Sequence, residues 1–231
     1  MKSRDRVCIA YPHTGTIAAE LALDLITISR ERRERFDSII GVGNMSLLVK
    51  TRNIIIKQFL EDTEAQWLLM IDSDQRLPLE AFDKLCEAVH DKDRPVVAGL
   101  VFAAFWTDAQ ELVPVPVIYS WDDEQGIQPM HDYPYDQIVE IGAAGTGCLM
   151  IHRSVFEKLQ ETATENQGKD WCYFTDGPIN GRWYGEDLLF SRKLTALGYK
   201  LHAHTGAILP HHKEFWLDDR HHAGWLSTYT N

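Results

Sequence analysis

Leu68-Leu-Met-Ile-Asp-Ser-Asp74 is an apolar run that ends in two carboxylates two residues apart. With Trp67 in front, it reads as a strand that is apolar throughout, as at the centre of a parallel sheet. In open α/β sheets ligands bind at the carboxyl ends of such strands. Two carboxylates this close repel each other unless something positive sits between them. A divalent cation does that, and oxygen ligands suit magnesium or manganese, whose open positions phosphate oxygens can fill. The same residues also occur in solvated strand-end turns, and a bare Asp-x-Asp is frequent by chance.

Working outward, Val7–Tyr11 is a short apolar strand broken by Pro12 and Gly15, and residues 16–30 follow a helical period. Ser38–Val42 is a second strand and residues 46–61 a second helix. Beyond Asp74, Pro78 opens a third helix with Ala81, Phe82, Leu85, Cys86 and Val89 on one stripe, and Val96–Val101 is a fourth strand. This βαβαβαβ alternation predicts an α/β fold: a mostly parallel sheet with helices on both faces. After about residue 112 the strands are interrupted by Pro114, Pro116, Pro129 and Pro134, so the sheet is expected to be mixed there. No linker composition separates the halves. The 231 residues are read as one domain with a nucleotide-binding half at 1–105 and an acceptor-facing half at 106–231.

Bulk properties narrow the function. The net charge of −11 disfavours a nucleic-acid partner, because an acidic chain repels a phosphate backbone. Four scattered cysteines form no CxxC pair, and Cys8, Cys86 and Cys148 lie in apolar runs as core thiols. The start, MKSRDRV, lacks the pattern of a signal peptide, and no stretch approaches a membrane span, so the cytoplasm is the expected compartment.

With these motifs in place, the chain resembles the GT-A glycosyltransferases, where a strand ending in Asp-x-Asp follows a nucleotide-binding half. The resemblance implies a fold, a donor and a site. Asp72, Ser73 and Asp74 would hold Mn2+ or Mg2+ against the diphosphate of a nucleotide sugar, expected to be a UDP-sugar. Lys50-Thr-Arg-Asn53 resembles a basic segment on the preceding helix, so Arg52 would reach the nucleotide, though it also fits a solvated helix face. Tyr11-Pro-His-Thr14 follows the first strand, so Tyr11 or Thr14 would touch base or ribose. Gly142-Ala-Ala-Gly-Thr-Gly-Cys-Leu-Met-Ile151 resembles the family's glycine-rich strand beneath the donor sugar, which brings in Gly147; the glycines equally fit a bulge. In Trp183-Tyr-Gly-Glu-Asp187, the acidic pair would flank donor and acceptor, with Glu186 and Asp187 as candidate bases, while Trp183 and Gly185 line the sugar site. Acidic residues also favour a helix N-terminus. The ending Pro210-His211-His212 resembles a strand bearing a third metal ligand, His211 first and His212 second.

The function this implies is transfer of a hexosyl unit to an acceptor hydroxyl on a protein or glycoside. Two rivals stand beside it. A sugar-nucleotide nucleotidyltransferase needs a basic glycine-rich loop after the first strand, and Pro12-His-Thr-Gly-Thr16 has no lysine or arginine. A non-catalytic carbohydrate-binding protein would have no need of the full acidic set. Phe102–Pro116, with Asp108, and Pro210–Trp225, with Trp216, His221 and His222, are expected to act as lids.

Overall fold

The computed structural model describes residues 5–43, 47–106, 112–122, 126–165 and 168–213. Asp108, Trp216, His221 and His222, and with them most of the two lid segments, lie outside the described residues. Strands β1 (Val7–His13), β2 (Phe36–Gly43), β3 (Trp67–Ile71) and β4 (Val96–Trp106) alternate with helices α1 (Ala19–Glu31), α2 (Leu48–Asp62) and α3 (Leu79–Ala88). Then come β5 (Leu112–Pro116), β6 (Ile118–Asp122), β7 (Gly126–Pro129), β8 (Ile138–Ile141), β9 (Ala143–Ala144) and β10 (Cys148–His152). Helix α4 (Arg153–Glu161), the hairpin β11 (Gly177–Ile179) and β12 (Arg182–Tyr184), α5 (Glu186–Ala196) and β13 (Leu201–Leu209) complete the described chain.

The central sheet has the order β2-β1-β3-β10-β4-β13-β8, with β5 added to β4. β1 runs parallel to β2 and β3, and β13 runs parallel to β4. β10 is antiparallel to both β3 and β4, so it separates two strands that are consecutive in the first half of the chain. Five of these seven strands therefore point one way, and the sheet is mixed but mostly parallel.

Alternate side chains of β3 explain its unbroken apolar sequence. Leu68 and Met70 join one core with Ile55 and Phe59 of α2 and Phe156 of α4. Leu69 and Ile71 join a second core with Leu21 and Leu25 of α1 and Phe82 of α3. Both faces are covered, so neither can be polar. Cys8 and Cys148 are buried in these cores and Cys86 is partly buried. Burial raises the thiols of Cys8 and Cys86 to about 11 and that of Cys148 to about 12, so all three stay protonated and inert.

One partly buried cation closes the helix that carries Arg52. The guanidinium of Arg153 donates to the carbonyls of Phe59, Leu60, Thr63 and Ala65, where α2 ends without a glycine cap. Those carbonyls have no partner within the helix, and a cation suits the negative end of its dipole. At the other end of the second half, α5 stops where Gly198 takes φ +86°, a left-handed conformation that suits glycine just past a helix end.

Candidate functional site

The parallel strands deliver their carboxyl ends to one edge of the sheet, and the Asp72–Asp74 turn lies there. Three neighbours hold it. Ala18 N–H donates to the Ser73 carbonyl (2.8 Å), Asp72 N–H to the Gly147 carbonyl (3.1 Å), and His212 N–H to the Asp74 carbonyl (2.8 Å). The turn is thus fixed from the approach to α1, from β10 and from the end of β13. Beside it is a cavity of about 800 Å3 lined by Pro12, His13, Thr14, Asp72, Ser73, Asp74 and His212 among others, a size that suits a nucleotide. Glu20 also lines it, and among the described residues neither lysine nor arginine does. A larger cavity of about 900 Å3 lies at the other end of the sheet, between Asp5, Arg35, Trp67, Cys86 and His152. It holds none of the residues singled out above for the site.

Asp74 and His211 meet directly. His211 Nε2 is 3.0 Å from Asp74 Oδ2, and its Nδ1 is 2.7 Å from the carbonyl of Phe102. Lys213 Nζ also reaches Asp74 Oδ2, at 3.2 Å. Desolvation pulls the Asp74 carboxyl upward, but the hydrogen bond from His211 and the charges of His211 and Lys213 outweigh it and hold it at about 2. The hydrogen bond to Asp74 raises His211 against its own burial. In the cation-free protein both ring nitrogens donate, Nε2 to Asp74 and Nδ1 to the Phe102 carbonyl. Only on losing the Nε2 proton would the ring turn a lone pair towards a metal, with Nδ1–H held by a backbone carbonyl as is usual for metal-ligating histidines. Two neighbouring ligands of an octahedral ion at about 2.1 Å lie about 3 Å apart, which matches this pair.

Asp72 has a different partner. Arg52 donates to Asp72 Oδ1 (3.2 Å) through one nitrogen and to Glu186 through the other. Among the described residues no group of three or more His, Cys, Asp and Glu is gathered as a metal cage. The pair Asp74–His211 nevertheless fits a magnesium-like ion, which binds through one or two protein ligands and takes the rest from water and phosphate.

Arg52 is neither on a solvated helix face nor directed into the cavity. Its side chain is 4% exposed and sits between the Asp72 and Glu186 carboxylates, over the Phe174 ring. The sequence held a signal for this: Arg52, Ile55, Ile56 and Phe59 recur at the spacing of one buried helix stripe. Next to it, Asn53 clamps a distant loop. Its side-chain amide donates to the Phe174 carbonyl (2.9 Å) and accepts from Phe174 N–H (3.2 Å). Phe174 stacks on Phe190 of α5 with ring centroids 4.3 Å apart. α2, the loop at Phe174 and α5 are thereby joined behind the acidic pair.

Asp187 lies in the first turn of α5 and, among the described residues, forms no salt bridge, though the charge of Arg52 reaches it. Its Oδ1 accepts Leu188 N–H at 2.7 Å, and its carboxyl is raised by burial and then by the neighbouring Glu186 charge. Gly145 and Gly147 explain part of the glycine-rich segment. A Cβ on Gly145 would lie 3.7 Å from Asp187 Oδ2, and one on Gly147 would lie 3.2 Å from Asp72 Oδ2 and 2.5 Å from Gln75 Nε2. The loop between β9 and β10 therefore runs from one carboxylate to the other. Of the aromatic pair, Trp183 is 67% exposed on β12, whereas Tyr184 is buried against Trp121. Gly185 is the N-cap residue of α5.

Thr14 lines the cavity, but Tyr11 turns aside and lies over Gly41 of β2. His13 takes the place expected of Tyr11. Its ring covers Gly43, where a Cβ would come within 2.1 Å, and its Nδ1 accepts Gly15 N–H. Of the two final histidines, His211 is the one whose ring meets Asp74, while His212 lines the cavity. Sequence reasoning missed His13, Asn53 and Gln75 as residues of this region.

The role of Arg52 can be tested by stability. Arg52→Met is expected to cost about 3 kcal/mol, because it strands two carboxylates that now share one buried cation. Urea denaturation measures this, and a loss below about 1 kcal/mol would mean that the bridge contributes no more than a surface pair.

No known protein family and no curated protein matches this chain. Solved structures do. "Crystal Structure of A197 from STIV" is matched over 92% of this chain and 97% of that one, with 16% identity and a TM-score of 0.53. GalNAc-T7 with UDP, GalNAc and Mn2+ is matched over 91% of this chain and 44% of that one, with 11% identity and a TM-score of 0.55. A glycosyltransferase involved in the glycosylation of the major capsid of PBCV-1 is matched more loosely, over 68% of this chain at a TM-score of 0.39. At such identities the likeness is one of fold, and the mixed, mostly parallel sheet flanked by helices is a GT-A-like, Rossmann-like fold.

Proposed function

We propose that this protein is a divalent-cation-dependent glycosyltransferase that moves a hexosyl unit from a nucleotide diphosphate sugar to an acceptor hydroxyl. One observation carries the reading: a nucleotide-sized cavity at the carboxyl end of the sheet is lined by the carboxylates of Glu20, Asp72 and Asp74 and, among the described residues, by no lysine or arginine. A cation between these carboxylates and an entering diphosphate would offset their repulsion. The fold shared with GalNAc-T7, which was solved with UDP and Mn2+, supports a UDP-sugar and manganese. The lack of lysine or arginine among the described lining residues equally disfavours a nucleotidyltransferase, which must hold a triphosphate.

Asp74 and His211 would hold the cation, with Asp72 joining them when it leaves Arg52. When bound, the cation would neutralise the departing diphosphate. Thr14 and His13 stand where ribose or base would lie. Gly147 leaves room over the backbone for the side chains of Asp72 and Gln75. Glu186 is committed to Arg52. Asp187 is the base: its carboxylate takes the proton of the acceptor hydroxyl as that oxygen attacks the anomeric carbon, so the product is inverted. Trp183, exposed one turn of chain earlier, offers its ring to a sugar acceptor.

A panel of nucleotide sugars with MnCl2, read by release of nucleoside diphosphate, tests the reading. Release with one donor, abolished by chelator, is expected. Equal release in chelator would remove the cation from the mechanism, and no release with any donor would favour a non-catalytic carbohydrate-binding protein.

A further inference from the structure

Five buried side-chain nitrogen or oxygen atoms among the described residues lack a hydrogen-bond partner, and four of them belong to Arg52, Gln75 and Thr146. All three residues adjoin Asp72. Arg52 is bonded to it, Gln75 follows three residues later, and Thr146 precedes the glycine whose carbonyl accepts Asp72 N–H. Gln75 is the extreme case. It is 1% exposed, and both its amide oxygen and its amide nitrogen are unpaired. Such a group destabilises a fold, because it has lost water and gained nothing in return. The backbone keeps it there: Gln75 N–H donates to the Asp72 carbonyl, and Gln75 bridges to His211.

Its direction shows what it is for. Gln75 Nε2 and Asp72 Oδ2 both lie over the Cα of Gly147, at 2.5 and 3.2 Å from where a Cβ would stand. Any side chain at 147 would part them. Asp72 Oδ1 is taken by Arg52, so Oδ2 is the oxygen left to Gln75.

We propose that Gln75 is the positioning residue for Asp72. Its Nε2–H donates to Asp72 Oδ2 once Asp72 exchanges Arg52 for a divalent cation, and the carboxylate is held in its ligating orientation. The carboxamide is left unpaired in the free protein so that it is paired in the loaded one. This rests on the cation-dependent reading above and adds to it a residue outside the Asp-x-Asp motif.

The test uses the full chain and two variants of similar volume without a donor, Gln75→Leu and Gln75→Met. Mn2+ binding is followed by the electron paramagnetic resonance of free Mn2+, with and without UDP, and stability by thermal melting without metal. The expected result is a split. Each variant that folds melts at or above the wild-type temperature, because two unpaired atoms are gone, yet binds Mn2+ with UDP roughly ten- to a hundredfold more weakly, the usual effect of losing an outer-shell partner. If the wild type binds and the variants bind equally well, Gln75 does not position Asp72, and the cation reading survives. If both variants melt lower, or fail to fold, Gln75 is a structural residue paired through buried water, and the proposal is overturned. If the wild type itself binds no Mn2+ with UDP, the cation reading falls and this proposal falls with it.

Discussion

Asp187→Asn is expected to lower turnover about a hundredfold or more while leaving the binding of UDP and Mn2+ unchanged, the scale of losing a general base. The side chain keeps its size, so packing around α5 should not move. Selectivity within the acidic pair comes from Arg52. Glu186 is neutralised by that guanidinium, whereas Asp187 is raised by burial and by Glu186. A base must be unprotonated, so the acid limb of turnover should lie above the ordinary carboxylate range, and it should vanish in the variant. The sign for stability is the reverse of a salt bridge. A carboxyl raised in the folded state stabilises the fold only below its unfolded value, and that contribution is lost as pH rises through the folded one. At neutral pH the charged form is therefore a burden, and Asp187→Asn should melt at or above the wild type. Steady-state kinetics, calorimetry of UDP with Mn2+, and thermal melts decide the matter. Full turnover with a product of retained configuration would make Asp187 a sugar ligand instead of a base.

Asp74→Ala is expected to weaken Mn2+-dependent UDP binding at least about a hundredfold, as removal of a direct ligand removes more than an outer-shell partner does. The fold should survive, because Asp74 is 47% exposed and its pairs with His211 and Lys213 are of the kind that contributes at most about 1 kcal/mol. What stability they do contribute has a clear sign. Asp74 is held at about 2, so its contribution is present above the ordinary carboxylate value and fades as pH falls towards 2. His211 gives an independent readout. Its raised imidazole is due first to Asp74, so in the variant it should titrate nearer the ordinary histidine value by nuclear magnetic resonance. Unchanged UDP affinity in the presence of Mn2+ would sink the assignment of Asp74 as a ligand.

The sequence alone determined the first half of the fold and the place of the acidic turn. Hydrogen-bond period and side-chain alternation are local, so β1, β3 and the helices between them could be read to within a few residues. β3 was read as Trp67–Ile71, the bounds the structure gives it. The carboxylates of Asp72 and Asp74 stood out because they follow five apolar residues directly at a strand's carboxyl end. Tertiary structure decided the rest. β10 enters between β3 and β4 through pairing with strands far away in sequence, and no periodicity announces which strands will adjoin. Arg52 became a buried bridge because Glu186, 134 residues away, packs on its helix. His13 and Thr14 line the cavity while the Tyr11 ring lies over Gly41 of the neighbouring strand. His211 was separated from His212 by the Phe102 carbonyl, which orients one imidazole and not the other. Gln75 gave no signal at all, because an unpaired carboxamide is visible only when everything that could have paired with it has been placed.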